Sequence, residues 1–144
     1  MTNYLPSPSD WVADQVRRYE ESGGTEGTEM RGFPVVLVTH RGRKTGAVRK
    51  TPLIRVADGD RYILVASKGG APTHPVWTYN LREDPRVTVQ DGPVRREMVV
   101  REVDEGPERE RLWSIAVAAY PEYDEYQART DRRIPVFVAE PAAA

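Results

Sequence analysis

Apolar positions along this chain fall into short runs whose period changes from segment to segment. In PSPSDWVADQVRRYEESGG, Trp11, Val12, Gln15, Val16 and Tyr19 recur at helical spacing. That predicts a helix with one mainly apolar face, started by Ser9 and stopped by Gly23 and Gly24. GTEGTEM reads as a flexible connector. FPVVLVTH and AVRKTPLIRVA predict two strands, and DGD predicts a hairpin turn into a third strand, RYILVAS. KGGAPTHP is a loop, and PVWTYNLRED a short helix that ends before Pro85. RVTVQ, the turn DGP and VRREMVVREV make a second hairpin. EGPERERLWSIAVAAY is an amphipathic helix and PEYDEYQART a short one. RRIPVFVAE is a last strand, in which Pro135 suggests an edge position.

Strands in short hairpins, with helices before, between and after them, do not follow the strict alternation of a parallel sheet. The expected class is α+β, mainly β: a small closed or partly open barrel with helices packed outside. Residues 1–30 are expected to form a helix and connector, and residues 31–144 the barrel domain.

Composition narrows the function classes. At 144 residues the chain fits one domain able to bury a core without a staple. It has no cysteine, which removes disulfides, thiolate catalysis and Cys-based zinc sites and fits a cytoplasmic protein. No apolar run reaches the roughly 20 residues of a membrane span, and no secretory signal is evident. A net charge of -1 and a pI near 6.2 argue against general nucleic-acid binding. The positive charge is local. From His40 to Ala57 there are six basic side chains and no acid, whereas from Glu102 to Glu125 eight acids face only Arg109 and Arg111.

The two histidines, His40 and His74, belong to no ligand cluster, so no metal is expected. Neither a nucleophile elbow, a complete P-loop nor a dinucleotide fingerprint occurs. Three stretches remain. In HRGRKTGAVRK, Gly42 and Gly46 bracket Arg43 and Lys44, with Arg49 just beyond. That pattern serves a solvated hairpin tip or a turn that grips an anion with several oxygens. In ASKGGAPTHPVWTYN, Ser67, Lys68 and Gly69 enter a loop, Thr73 is placed to cap the next helix, and Trp77 and Asn80 share one helical face. A capped helix with a core tryptophan and a ligand loop both fit. In YPEYDEYQ, Tyr120, Tyr123 and Tyr126 form a stripe that suits either core packing or a stacking wall. With no nucleophile paired to a base, the three together suit a flat anionic cofactor that brings its own chemistry.

These stretches, GRKTG…R…TPL, VASKGGAPTHPVWTYNL and YPEYDEYQARTDRRIPVFV, resemble the deazaflavin-dependent nitroreductase family, whose cofactor is coenzyme F420. The match spans nearly all the chain after residue 30. The resemblance implies a split β-barrel related to FMN-binding oxidoreductases. It implies that Arg43, Lys44, Gly46 and Arg49 hold the phosphate and oligoglutamate tail of the deazaflavin, with Pro52, Ser67, Lys68, Gly69, Trp77 and Asn80 beside the cofactor. Tyr120, Tyr123 and Tyr126 match the family's substrate-side tyrosines. Ile54 stands where one characterised member has a tyrosine, so a substrate wall differs. The implied reaction is hydride transfer to a quinone or nitroaromatic acceptor, with Tyr126, Tyr123 or Ser67 as the hydrogen-bond or proton donor. An FMN- or haem-binding split-barrel protein and a non-catalytic F420-binding protein are the alternatives. The first helix is expected to pack on the barrel, with weak peripheral membrane contact as its other use. Monomer and homodimer both remain open.

Overall fold

The structure is a computed structural model that describes residues 4–142, so the outer ends of the two expected segments, 1–3 and 143–144, lie outside it. In chain order the elements are α1 (Asp10–Glu21), β1 (Glu29–Met30), β2 (Phe33–Arg41), β3 (Val48–Ile54), β4 (Ala57–Asp58) and β5 (Arg61–Val65). A single 3-10 turn (Lys68–Gly70) precedes α2 (Val76–Glu83), β6 (Arg86–Asp91) and β7 (Val94–Glu102). The chain ends with α3 (Pro107–Ala119), α4 (Glu122–Ala128) and β8 (Val136–Pro141).

The strands form one curled antiparallel sheet in the order β1-β2-β6-β7-β8-β5-β4, with β3 also on β2. This is a split β-barrel with the helices outside. Side chains alternate across a strand, and in β2, β5 and β8 both faces are covered. Val36, Val38, Leu64 and Phe137 join Trp77, Leu81 and Met98 in one cluster. Ile63, Val65, Val136 and Val138 point the other way, onto α3 and α4. Val35 and Leu37 meet Val16 and Tyr19 of α1. Two-sided burial is why these strands read as unbroken apolar runs.

Three expectations change. β8 lies between β7 and β5 and is no edge. Pro135 sits just before the strand, where its missing N–H breaks no ladder, and its carbonyl accepts Ala66 N–H at 3.0 Å. Thr73 caps nothing: α2 starts after Pro75, and Thr73 Oγ1 instead accepts from Lys68 Nζ at 3.3 Å. The connector after α1 makes defined contacts. Gln15 donates to the carbonyls of Gly27 and Glu29, and β1 pairs with β2. Tyr19 is fully buried; its hydroxyl accepts Gly92 N–H at 2.7 Å and donates to the Gln90 carbonyl at 3.0 Å. Val16 and Tyr19 of α1 are therefore covered by the sheet, whereas Trp11 on the same face is 61% exposed. No helix among the described residues is long and apolar enough to cross a membrane.

Candidate active site

A cavity of about 870 Å³ opens between β3, the loop after β5, α2, α4 and the start of α1. Its size falls in the roughly 300–1,000 Å³ range of ligand pockets. Arg49, Pro52, Ile54, Ser67, Lys68, Gly69, Trp77, Tyr120, Tyr123 and Tyr126 line it. Of the other residues singled out, Arg43, Lys44 and Gly46 are exposed on the β2–β3 turn, outside the cavity wall. Asn80 is buried beneath that turn.

The turn is held from below. Gly42 N–H donates to the Ala47 carbonyl at 2.8 Å, and Gly46 takes the left-handed conformation, φ 71°, that glycine allows. Asn80 Oδ1 accepts Arg43 N–H at 2.9 Å. The Asn80 amide nitrogen faces His40 Nδ1 at 3.4 Å, and His40 Nε2 lies 3.0 Å from Thr51 Oγ1. Burial, aided by the positive charge of Arg49, pulls the His40 pKa down to about 4. The ring is thus neutral at pH 7; with Nδ1 accepting from Asn80, its proton is on Nε2 and is donated to Thr51. Among the described residues, Arg43, Lys44, Arg49 and Lys68 have no carboxylate within ion-pair distance, whereas nearby Lys50 pairs with Glu20 at 2.7 Å. The unpaired cations form a positive rim that no side chain neutralises. Arg43 also lies over the Tyr79 ring, 5.3 Å from its centroid.

The Ser67–Gly70 loop joins the two ends of the cavity. Lys68 and Gly69 have φ of 46° and 62°; for lysine this is an uncommon conformation, of the kind that persists only where the surroundings hold it. A Cβ added to Gly70 would stand 2.6 Å from the Tyr126 carbonyl oxygen, so α4 can approach only a glycine. Arg132 clamps the loop by donating to the carbonyls of Ser67 (2.6 Å), Ala71 (2.7 Å) and Ala66 (3.2 Å). Nothing in its spacing marks Arg132; only folding brings those carbonyls to it.

At the other end, the hydroxyls of Tyr120 and Tyr126 are 3.1 Å apart, and the Tyr120 and Tyr123 rings meet edge-on at 4.9 Å. Burial pushes the Tyr120 and Tyr123 pKa values well above the ordinary phenol range, so both are protonated at pH 7. Arg31 completes this end. Its Nη1 donates to Tyr126 Oη at 3.2 Å and to Tyr120 Oη at 3.5 Å. Sequence reasoning missed it, although Arg31-Gly32 is a two-residue hairpin loop between Met30 and Phe33. Ser7, Ser9, Trp11 and Val12 also line the cavity. Among the described residues no group of three or more His, Cys, Asp or Glu side chains is placed to hold a metal ion.

Known proteins share this architecture. The profile of the F420H(2)-dependent quinone reductase family matches residues 11–141. An F420H(2)-dependent quinone reductase of Mycobacterium tuberculosis is 40% identical over 123 residues, covering 83% of each chain. A solved F420-H2 dependent reductase is 51% identical, with a TM-score of 0.70 over 74% of this chain and 94% of its own. A solved chain described as a domain-swapped dimer is 49% identical, with a TM-score of 0.73 over 93% of this chain and all of its own. The heme storage protein of Vibrio cholerae, 11% identical at a TM-score of 0.57 over 92% of each chain, shares the fold alone. The chain belongs to the F420H(2)-dependent quinone reductase family.

Proposed function

We propose that this chain reduces quinones with hydride from coenzyme F420, within the cavity that joins two of the unpaired cations, Arg49 and Lys68, to the three tyrosines. The observation that carries this is the continuity of that cavity. Arg49 and Lys68, without carboxylate partners, and Tyr126, with its hydroxyl network, line the same space. The donor set fits the cofactor: a positive rim for phosphate and carboxylate oxygens, and flat apolar walls at Pro52 and Trp77.

When bound, the reduced deazaflavin supplies a hydride. Arg43, Lys44 and Arg49 hold its acidic tail through charge-assisted hydrogen bonds, each worth about 1.5–3 kcal/mol. Gly46 gives the turn its shape, and Asn80 fixes the turn by holding the Arg43 N–H. Ser67, Lys68 and Gly69 would help hold the cofactor with their polar groups and backbone, which line the cavity. Ile54, Tyr120 and Tyr123 exclude water from the acceptor. Tyr126 holds a proton at the acceptor oxygen, where negative charge develops, with Ser67 and Tyr123 as the other candidate donors. A nitroaromatic presents similar oxygens to the same donors and is the second acceptor class.

Oxidation of reduced F420 with menadione tests the activity, and titration with F420, FMN and haem tests the cofactor. Turnover with menadione and preference for F420 are expected. Binding of FMN or haem in place of F420 would overturn the assignment. The relative described as a domain-swapped dimer supports the homodimer over the monomer. Sedimentation at twice the 16.3 kDa chain mass is the expected outcome.

A further inference from the structure

Four cations line the cavity, and Arg31 is set apart from the rest. Arg49 and Lys50 lie on β3, and Lys68 on the loop after β5. Arg31 sits on the turn between β1 and β2, with φ of 54° there and 82° at Gly32, as in a type I′ hairpin turn. That conformation suits asparagine or glycine better than arginine, so backbone preference does not account for the residue. Its nearest carboxylate, Glu122 at 3.4 Å, is exposed, and the Arg31 side chain is itself 65% exposed. Such a pair leaves the charge available to a ligand. The same Nη1 reaches the hydroxyls of Tyr126 and Tyr120. Arg31 is therefore a cation at the tyrosine end of the cavity, separated from the β2–β3 turn by the nine residues of β2, roughly 26 Å of strand.

We propose that Arg31 is the countercharge for the reduced acceptor, holding the oxyanion that forms when a quinone receives hydride. The inference rests on the function proposed above and assigns its acceptor end. The quinone gains two electrons and one proton as hydride and becomes a hydroquinone monoanion. The Tyr126 O–H bond then breaks and gives its proton to that oxygen, and water restores the tyrosine. Arg31 keeps its proton throughout. It faces first the acceptor oxyanion and then the tyrosinate, so negative charge at this end is matched at each stage. The site accordingly favours flat acceptors that carry or acquire an oxyanion.

The test is a binding measurement on protein saturated with oxidised F420, using two inert probes. One is menadione, which is neutral. The other is 2-hydroxy-1,4-naphthoquinone, which is an oxyanion at neutral pH. Calorimetric affinities are compared for the wild type, Arg31→Gln and Arg31→Lys. Arg31→Gln is expected to lose about tenfold or more in affinity for the oxyanion while menadione changes by less than about twofold, and Arg31→Lys to recover most of the loss. Equal weakening of both probes, or of neither, overturns the proposal. F420 affinity in the same preparations separates the two failures. A wild type that does not bind F420 ends the proposed function as well. Normal F420 binding with unchanged probe selectivity in Arg31→Gln ends only the role of Arg31.

Discussion

At the Arg41 end of β2, among the described residues, Arg43, Lys44 and Arg49 stand without carboxylate partners near a neutral, buried histidine, while Lys50 is paired with Glu20. At the Phe33 end Arg31 bonds to the hydroxyls in a cluster of tyrosines. The first end is made of fixed charge and has few groups able to give up a proton. The second is made of hydroxyls, with Arg31 bonded to two of them and Arg129 over the Tyr126 ring. Fixed charge suits holding a polyanion, and hydroxyls suit managing a proton. On the proposed function, one strand separates cofactor binding from proton handling, and each is expected to be perturbable without the other.

The largest break is expected at the tyrosine end. Tyr126→Phe should lower kcat with menadione by about 100-fold, the lower range for losing a positioned acid, while F420 affinity stays within about twofold. An equal loss in F420 affinity would show that the two ends are not separate. Next is the response of the cationic end to acid. An unfolded histidine titrates near 6.5, and His40 in the fold only at about 4. As pH falls below 6.5 the unfolded chain takes a proton that the folded chain refuses, so stability drops between pH 6.5 and 4 and then levels. The loss is at most about 3 kcal/mol. Denaturant midpoints across that window should fall in the wild type and flatten in His40→Gln at this component. A slope that is unchanged in the variant would remove His40 as its source. The smallest effect is at the rim. Lys44→Ala should weaken F420 binding by more than about tenfold and make it less salt-sensitive, with kcat at saturation unaltered. Unchanged affinity would mean that the turn does not touch the tail.

Much of the scaffold was legible because the physics is local. Runs such as FPVVLVTH and RYILVAS are apolar throughout because both faces of β2 and β5 are covered. Tyr123 and Tyr126 follow helical spacing on α4, but Tyr120 lies outside it, at the non-helical end of α3, and joins them only through the bend at Pro121. The position of β8 was not legible, since a proline one residue outside a strand resembles one inside it. Arg31 and Arg132 were hidden for another reason. Their partners lie far away in sequence, Tyr126 from Arg31 and the Ser67 carbonyl from Arg132, and only the closed fold brings them together. Asn80 shows the intermediate case. Its helical face with Trp77 was readable, but its side chain supports the turn and does not enter the cavity wall.

The division along β2 is tested most directly by a crystal structure of the chain with F420 and 2-hydroxy-1,4-naphthoquinone. The expected result is the acidic tail on Arg43, Lys44 and Arg49, and the naphthoquinone oxyanion beside Tyr126 and Arg31. A tail lying at Arg31, or a naphthoquinone seated at the Gly42–Ala47 turn, would contradict it.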